Sequence, residues 1–240
     1  MMVTYIILAA GKGSNLNPLT LKYAKTSYKL DENTTVLQRM VRGIRRADKD
    51  AEIVIVVGYL AEAVKKELGE ENVTFVKNPF YEVTNSISSI WFARDYLERE
   101  NVAIIHGDVV FSDEILKGYV TAPTDHPYVL VDSSVHYPGA YNAVVRDGQV
   151  LVMSKKLEQF DARYCCMTKL DPVSSRLLKQ EVDSMVDSNM YDQFVEDSLV
   201  QMIMFHGFQL YAEDISGKAW AEVNGVDDLL MAQRIHGSNA

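Results

Sequence analysis

The chain has 240 residues, 48% of them hydrophobic and 24% charged, which suffices for one large core or for two small ones. Its formal net charge of -9 argues against non-specific binding to nucleic acid or to an anionic membrane surface, because both require clustered lysine and arginine. There is no apolar stretch of about 18 residues and no signal-peptide pattern, so we expect a cytoplasmic protein without membrane partners.

In the first half, short apolar runs alternate with helical patterns, which is typical of a mostly parallel sheet with crossover helices. We predict strands over 4–9, 52–57, 73–76 and 102–106, and helices over 35–47, 60–68 and 87–99. The pattern indicates a layered α/β sandwich with functional loops at the carboxyl ends of the strands.

The second half shows a different pattern. Strands are predicted over 128–131, 141–146, 149–153 and 207–211, and helices over 172–182, 190–204 and 226–235. Asp147-Gly148 is a hairpin signal between two of these strands. Without a long linker or a repeat, we expect a single domain over 1–240, with halves at about 1–125 and about 126–240.

The segment after the first predicted strand has the character of a phosphate-binding loop. Gly11 and Gly13 permit positive φ and let backbone N–H groups approach a ligand, and Lys25 follows as a cation for a phosphoryl group. A dinucleotide fingerprint would need glycine in place of Leu16, and the P-loop spacing is also absent. A plain strand-to-loop turn is the remaining alternative.

Five segments, in order along the chain, resemble the nucleotidyltransferases that join a nucleoside triphosphate to a phosphorylated small molecule. They are Leu8-Ala9-Ala10-Gly11-Lys12-Gly13 with Pro18-Leu19-Thr20 and Lys25, Val57-Gly58-Tyr59-Leu60, Asn78-Pro79-Phe80-Tyr81 with Thr84-Asn85 and Ser89, His106-Gly107-Asp108-Val109-Val110-Phe111, and Trp220-Ala221-Glu222-Val223-Asn224. The resemblance spans nearly the whole chain and is closest to the bacterial phosphocholine and phosphonate cytidylyltransferases. It implies a Rossmann-like three-layer α/β sandwich with a mostly parallel mixed sheet, as in GT-A-like nucleotide-diphospho-sugar transferases, plus a small antiparallel acceptor-binding part.

The resemblance also implies an activity and its partners. A phosphate or phosphonate oxygen of the acceptor would attack the α-phosphorus of CTP and expel pyrophosphate with Mg²⁺ present, and no general base is needed because the acceptor is already ionised. Two alternatives are a sugar-1-phosphate nucleotidyltransferase that uses UTP, dTTP or GTP, and a nucleotide-binding regulator that has lost turnover. A homodimer is compatible with the sequence, and nucleic acid is not an expected partner.

The catalytic residues implied by the resemblance are Lys25, Asp108 and Lys155. Lys25 would contact the α-phosphate, and Lys155 the acceptor phosphate, although Lys155-Lys156 also reads as a pair of surface lysines. Asp108 follows an apolar strand, where a carboxylate can reach a metal ion at the edge of the sheet. A structural role for Asp108 as a helix cap is the alternative.

The implied metal ligands are Asp108, Glu222 and Asn224. The family pattern Glu-x-Asp here reads Glu222-Val223-Asn224, so one ligand keeps its oxygen but loses its charge. Strand alternation would place Glu222 and Asn224 on the same face. An ordinary exposed strand position is the alternative for Glu222.

The nucleotide contacts implied by the resemblance combine backbone and polar positions. They are Leu8, Ala10, Gly11, Lys12, Gly13, Asn15, Gly58, Asn85, Ser89 and Gly107. Asn15 replaces an arginine of the family and so removes a bidentate phosphate contact. Asn85 also fits the N-cap of the following helix.

The sequence also indicates where its two cysteines and two tryptophans lie. The adjacent Cys165 and Cys166 make a poor disulfide and lack metal-ligand spacing, so we interpret them as packing residues in a reducing compartment. Trp91 lies in an apolar helix pattern and is predicted to belong to the core, whereas Trp220 is a candidate for the wall of an acceptor pocket.

Overall fold

The computed structural model describes residues 3–13 and 21–238. The strands are β1 Thr4–Ala9, β2 Glu52–Val57, β3 Thr74–Lys77, β4 Val102–His106, β5 Val109–Phe111, β6 Tyr128–Asp132, β7 Asn142–Arg146, β8 Gln149–Ser154, β9 Ala162–Leu170, β10 Tyr211–Asp214 and β11 Trp220–Glu222. The helices are α1 Val36–Ala47, α2 Ala61–Leu68, α3 Ser86–Phe92, α4 Asp113–Ile115, α5 Pro172–Asp187, α6 Val195–His206 and α7 Val226–Gly237. Short 3-10 segments cover Lys25–Ser27 and Arg94–Glu98, and a π turn covers Leu116–Val120.

One mixed sheet contains strands from both halves of the sequence. Its strand order is β3-β2-β1-β4-β9-β6-β10-β8-β7, and β7 also pairs with β9. The first four strands run parallel, β9 is antiparallel to both β4 and β6, and β7 and β8 form an antiparallel hairpin. A separate two-stranded ribbon joins β5 to β11.

Alternation along the central strands divides the core between the two faces of the sheet. In β1, Tyr5 and Ile7 pack with α1 and α2 on one face, while Ile6 packs on the other with α3, α5 and α6. A third, smaller cluster joins β5, β11 and α7. None of the described helices combines the length and the apolar character needed to cross a membrane.

Several predicted boundaries are confirmed because local chemistry sets them. The predicted bounds of β1, β2 and β4 match those observed. Thr35 is the N-cap of α1, where its hydroxyl accepts from the backbone N–H of Gln38 at 3.3 Å while the Gln38 amide oxygen accepts from Thr35 N–H. Asp147 and Gly148 both have positive φ, as a tight hairpin turn requires.

Other predicted elements were wrong, or wrong in extent. The helix predicted over 87–99 breaks at Ala93 into α3 and a 3-10 segment. The helix predicted over 190–204 begins only at Val195. The strand predicted over 207–211 is displaced, because Gly207 ends α6 in the left-handed conformation and β10 starts at Tyr211.

The nine-residue strand β9 was not predicted from the sequence at all. It lies between β4 and β6 and is buried along most of its length. A strand covered on both faces lacks the polar–apolar alternation that identifies a strand in a sequence.

Candidate functional site

A cavity of about 570 Å³ opens at the carboxyl ends of β1 and β4, a common position for ligand sites in α/β sheets. Most of the predicted site residues line it. They are Leu8, Ala10, Gly11, Gly13, Lys25, Asn85, Ser89, Asp108, Lys155, Glu222 and Asn224. The structure therefore brings together residues more than 200 positions apart in the sequence, from Leu8 to Asn224.

Four predicted nucleotide-contact residues are not among the described lining of this cavity. Gly58 and Gly107 pack behind it, and Lys12 Nζ lies 5.8 Å from the ring centroid of Tyr59. Asn15 lies outside the described residues. Of the two loop glycines, Gly13 uses its freedom to adopt a positive φ, at 65°, whereas Gly11 does not.

The glycines behind the cavity are required by close backbone packing. A Cβ on Gly58 would lie 2.8 Å from the carbonyl oxygen of Ala10, and a Cβ on Gly107 would lie 2.9 Å from that of Leu8. Gly107 N–H donates to the same Leu8 oxygen at 2.8 Å. These contacts hold the loops after β1, β2 and β4 against one another, so the two glycines shape the cavity without facing it.

We expect Gly107→Ala to lower the free energy of unfolding by about 1–3 kcal/mol, because the added methyl group must push a backbone carbonyl aside. Urea denaturation followed by circular dichroism measures this change. Gly118→Ala is the control, since a Cβ there meets nothing within 4 Å, and its effect should be neutral or stabilising by up to about 1 kcal/mol, because alanine is favoured over glycine in a helical turn. Equal stability of the two variants would contradict the packing role of Gly107.

The centre of the cavity is an ion pair shared with an amide. Lys25 Nζ lies 2.5 Å from Asp108 Oδ2 and donates to Asn224 Oδ1 at 2.6 Å. Asp108 lies in the turn between β4 and β5, and Asn224 follows β11. The antiparallel pairing of β5 with β11 joins these segments, and Val223 N–H donates to the Asp108 carbonyl at 2.9 Å.

Both charges of the pair are stabilised by this arrangement. Burial alone raises the pKa of Asp108, but the charges of Lys25 and His106 hold that pKa below its ordinary value. Burial alone lowers the pKa of Lys25, but its attraction to Asp108 and to Glu222 raises that pKa above its ordinary value. At neutral pH the cavity therefore presents a fixed ammonium group beside a carboxylate.

The oxygen atoms around Lys25 suit a hard divalent cation. Asp108 Oδ1 is buried and has no hydrogen-bond partner among residues 3–13 and 21–238, and the amide oxygen of Asn224 accepts from the same Lys25 ammonium group as Asp108. Both are ligand types that Mg²⁺ accepts. Glu222 also lines the cavity, but its carboxylate accepts from Arg163 Nη2 at 2.6 Å.

The expected strand alternation of Glu222 and Asn224 is corrected by the structure. Strand β11 ends at Glu222, and Asn224 lies in the turn that leads to α7. The backbone N–H of Asn224 donates to Asp228 Oδ2 at 3.0 Å, which fixes the turn. The amide side chain therefore reaches Lys25 from a turn and not from a strand.

Local capping resolves two alternatives left open by the sequence. Asn85 is the N-cap of α3, with its side-chain oxygen accepting from Ser86 N–H at 2.9 Å, and it also lines the cavity. Asp108 does not cap α4, because Ser112 does so by accepting from Ile115 N–H. A helix N-terminus thus faces the cavity at Asn85, which favours an anion there.

Aromatic residues surround the predicted acceptor side. Lys155 Nζ lies 3.8 Å from the ring centroid of Phe194 and 5.6 Å from that of Tyr141, and all three residues line the cavity. Lys155 and its neighbour Lys156 are both exposed. A cation held over aromatic faces is attracted by their quadrupoles, so Lys155 differs from an ordinary surface lysine.

The two tryptophan predictions need correction. Trp220 is absent from the described lining of the cavity, since it is buried and its Nε1–H donates to Asp132 Oδ2 at 2.8 Å. Trp91 is only partly buried, and the Arg94 guanidinium lies 4.0 Å from its ring centroid. The apolar helix pattern alone could not distinguish a core position from a half-buried one.

The sequence analysis did not identify three further side chains that line the cavity. His106, Tyr164 and Cys166 line it, and His106 Nε2 lies 2.8 Å from an oxygen of the fully buried Glu196. Burial alone lowers the pKa of His106, but attraction to Glu196 and Cys166 holds that pKa well above its ordinary value. The cysteines are buried and free, as predicted. Two of these side chains, those of Tyr164 and Cys166, lie on the unpredicted β9. His106 belongs to a predicted motif, but no separate role was predicted for it.

Comparisons with known proteins agree with this architecture. Residues 5–164 match the MobA-like NTP transferase domain. The bifunctional protein GlmU of Francisella tularensis subsp. novicida is 30% identical over 148 residues, which cover 61% of this chain and 31% of that relative. This chain therefore aligns with less than a third of the length of that relative.

Two solved structures share the fold. The CTP:phosphocholine cytidylyltransferase of Streptococcus pneumoniae superposes with a TM-score of 0.80 at 19% identity, covering 98% of this chain and all of that one. The inositol-1-phosphate CTP transferase of T. maritima gives a TM-score of 0.75 at 20% identity, with 100% and 98% covered. The mixed-sheet α/β fold is that of the nucleotide-sugar transferase type, and the chain belongs to the MobA-like NTP transferase domain family of nucleotidyltransferases.

Proposed function

We propose that this protein is an Mg²⁺-dependent cytidylyltransferase that joins CTP to a phosphorylated or phosphonate small molecule and releases pyrophosphate. The observation that carries the proposal is the position of Lys25, whose ammonium group lies between Asp108 and Asn224 in a cavity bordered by a glycine loop. Two polyanions repel each other, and a fixed cation beside hard oxygen ligands is what their encounter requires.

The reaction needs few groups from the protein. An acceptor oxygen bonds to the α-phosphorus of the nucleotide while the bond from that phosphorus to the bridging oxygen breaks, and pyrophosphate leaves with the electron pair. Lys25 would offset the negative charge that develops on the α-phosphoryl group. The loop at Gly11 and Gly13 would admit the phosphates against its backbone, and Lys155 would orient the acceptor phosphate.

Asp108 and Asn224 would hold the magnesium ion, with Glu222 joining them once it leaves or shares Arg163. When bound, the ion supplies charge neutralisation of the triphosphate. The choice of CTP over other nucleotides is supported by the motif resemblance, and the fold shared with two enzymes named for CTP is compatible with it.

A panel of pyrophosphate-release assays tests the proposal. Each of CTP, UTP, GTP, ATP and dTTP is combined with Mg²⁺ and with phosphocholine, 2-aminoethylphosphonate, 2-hydroxyethylphosphonate or a sugar 1-phosphate. Release confined to CTP with a small phosphoester or phosphonate supports the proposal. Release with sugar phosphates and UTP, dTTP or GTP would replace it by the sugar-nucleotide alternative, and nucleotide binding without any release would indicate a regulator.

We expect Asn224→Asp to bind Mg²⁺ equally well or up to about tenfold more tightly, because a carboxylate adds a charged oxygen at the same position. The measurement is the Mg²⁺ concentration for half-maximal pyrophosphate release. Asn72→Asp, which adds the same charge at an exposed position, is the control and should leave that concentration unchanged. A large loss of Mg²⁺ affinity in Asn224→Asp would show that the amide has another purpose, such as restraining Lys25.

A further inference from the structure

A histidine, a cysteine and a glutamate lie close together in the lining of the cavity. One potential ligand atom from each of His106, Cys166 and Glu222 lies within 4.8 Å of the other two. The three residues come from the end of β4, the middle of β9 and the end of β11, so only the assembled fold brings them together. All three line the same cavity as Lys25.

The backbone at Cys166 is distorted in a way that places its side chain in this group. On β6 the register advances from Val129 to Val131, while on β9 it runs from Thr168 back to Tyr164, so β9 carries extra residues opposite β6. Cys166 lies in this bulge with φ of 61°. A left-handed conformation at a residue other than glycine costs about 1–3 kcal/mol and is found most often where a side chain has a specific task.

His106 is already oriented as a metal-binding histidine is. Its Nε2 is hydrogen-bonded to Glu196, whose side chain is fully buried, which leaves Nδ1 as the ring nitrogen available to an ion. A carboxylate on the second ring nitrogen fixes the orientation of a metal-bound imidazole and increases its basicity. The second carboxylate oxygen of Glu196 has no hydrogen-bond partner among the described residues.

We propose that His106, Cys166 and Glu222 form a three-ligand site for a zinc-class transition-metal ion, which shares only Glu222 with the hard-cation position at Asp108 and Asn224. Nitrogen, thiolate and carboxylate ligands select Zn²⁺ or Co²⁺ over Mg²⁺, which accepts oxygen almost exclusively. Three protein ligands leave a fourth position open toward the cavity. Binding releases two protons, one from the Cys166 thiol and one from Nδ1 of the charged His106 imidazole, and Glu222 then exchanges Arg163 for the ion or shares its carboxylate between them.

Cobalt titration of the full chain, freed of metal by chelation, tests this site without nucleotide or acceptor. Co²⁺ is the probe because a thiolate ligand gives a sulfur-to-cobalt charge-transfer band in the near ultraviolet. We expect a stoichiometric band in the unmodified protein, its loss in Cys166→Ser and its retention in Cys165→Ser. Cys165 is the matched control, since it is equally buried and adjacent but lies outside the cluster.

A second variant tests the orienting carboxylate. Glu196→Gln should keep the band but weaken Co²⁺ affinity by about 10–100-fold, as loss of such a partner does elsewhere. If Cys166→Ser shows no cooperative unfolding transition, and so is not folded, Glu222→Gln replaces it as the test variant. We expect Glu222→Gln to bind Co²⁺ at least about tenfold more weakly than the unmodified protein.

Absence of the band in the unmodified protein, its persistence in Cys166→Ser, or its loss in Cys165→Ser would overturn the site. The result is independent of the proposed activity. Failure of the cobalt titration leaves pyrophosphate release untouched, and an absence of release leaves the cobalt band untouched.

Discussion

Asp108→Ala is expected to lower kcat for pyrophosphate release by about 100-fold or more and to leave the fold intact. Asp108 is the partly buried carboxylate that pairs with Lys25 at 2.5 Å and offers its second oxygen, the buried Oδ1, to a cation. Alanine removes both functions at once. Steady-state kinetics with saturating Mg²⁺ measures the loss, and a cooperative thermal transition verifies folding.

Asp125→Ala is the control for this variant. Asp125 is almost fully exposed and pairs only with His126 among the contacts described, so we expect its kcat to stay within about twofold of the unmodified protein, as for most surface substitutions. Near-full activity in Asp108→Ala would remove this residue from the mechanism and would favour a site that depends on Glu222 for its metal.

Lys25→Met is the second variant with a large expected effect. The thioether keeps the length of the side chain but removes the cation, so we expect kcat to fall by about 10²–10³-fold. The same change leaves the partly buried Asp108 without its partner, and we expect a loss of stability below the cost of about 3–5 kcal/mol for breaking a fully buried pair. Kinetics and urea denaturation measure the two losses separately.

The contribution of Asp108 to the pH dependence of stability should have opposite signs in the unmodified protein and in Lys25→Met. In the unmodified protein the Asp108 pKa lies below 3.8, so its stabilising contribution is present above pH 3.8 and is lost as the pH falls further. In Lys25→Met we expect the pKa of Asp108 to rise, because burial is then opposed mainly by the charge of His106. The variant should therefore lose stability as the pH rises through that higher pKa.

The double variant Lys25→Met/Asp108→Asn separates stability from chemistry. Replacing the unpaired carboxylate by a neutral amide should restore most of the lost stability, because the uncompensated buried charge is gone. Activity should stay low, because the ammonium group is still missing. A double variant as unstable as Lys25→Met would show that the instability arises from packing and not from charge.

Much of the architecture could be predicted because it is encoded locally. The first strand, the capping box at Thr35 and the hairpin at Asp147-Gly148 each depend on residues a few positions apart. Strand β9 could not be predicted, because its burial on both faces removes the alternation that periodicity analysis requires. Because β9 was not predicted, the sequence analysis also did not indicate that Arg163 binds Glu222 or that Cys166 lines the cavity.

The sequence by itself indicated the glycine loop from residue type at short spacing, and its resemblance to a known family implied the order of the motifs and eleven of the residues that line the cavity. Only the tertiary structure decided that Lys25 lies between Asp108 and Asn224, that Arg163 binds Glu222, and that Gly107 packs behind the cavity. These contacts join segments up to 199 residues apart. Their geometry depends on strand pairing and on a bulge in β9, which no local pattern specifies.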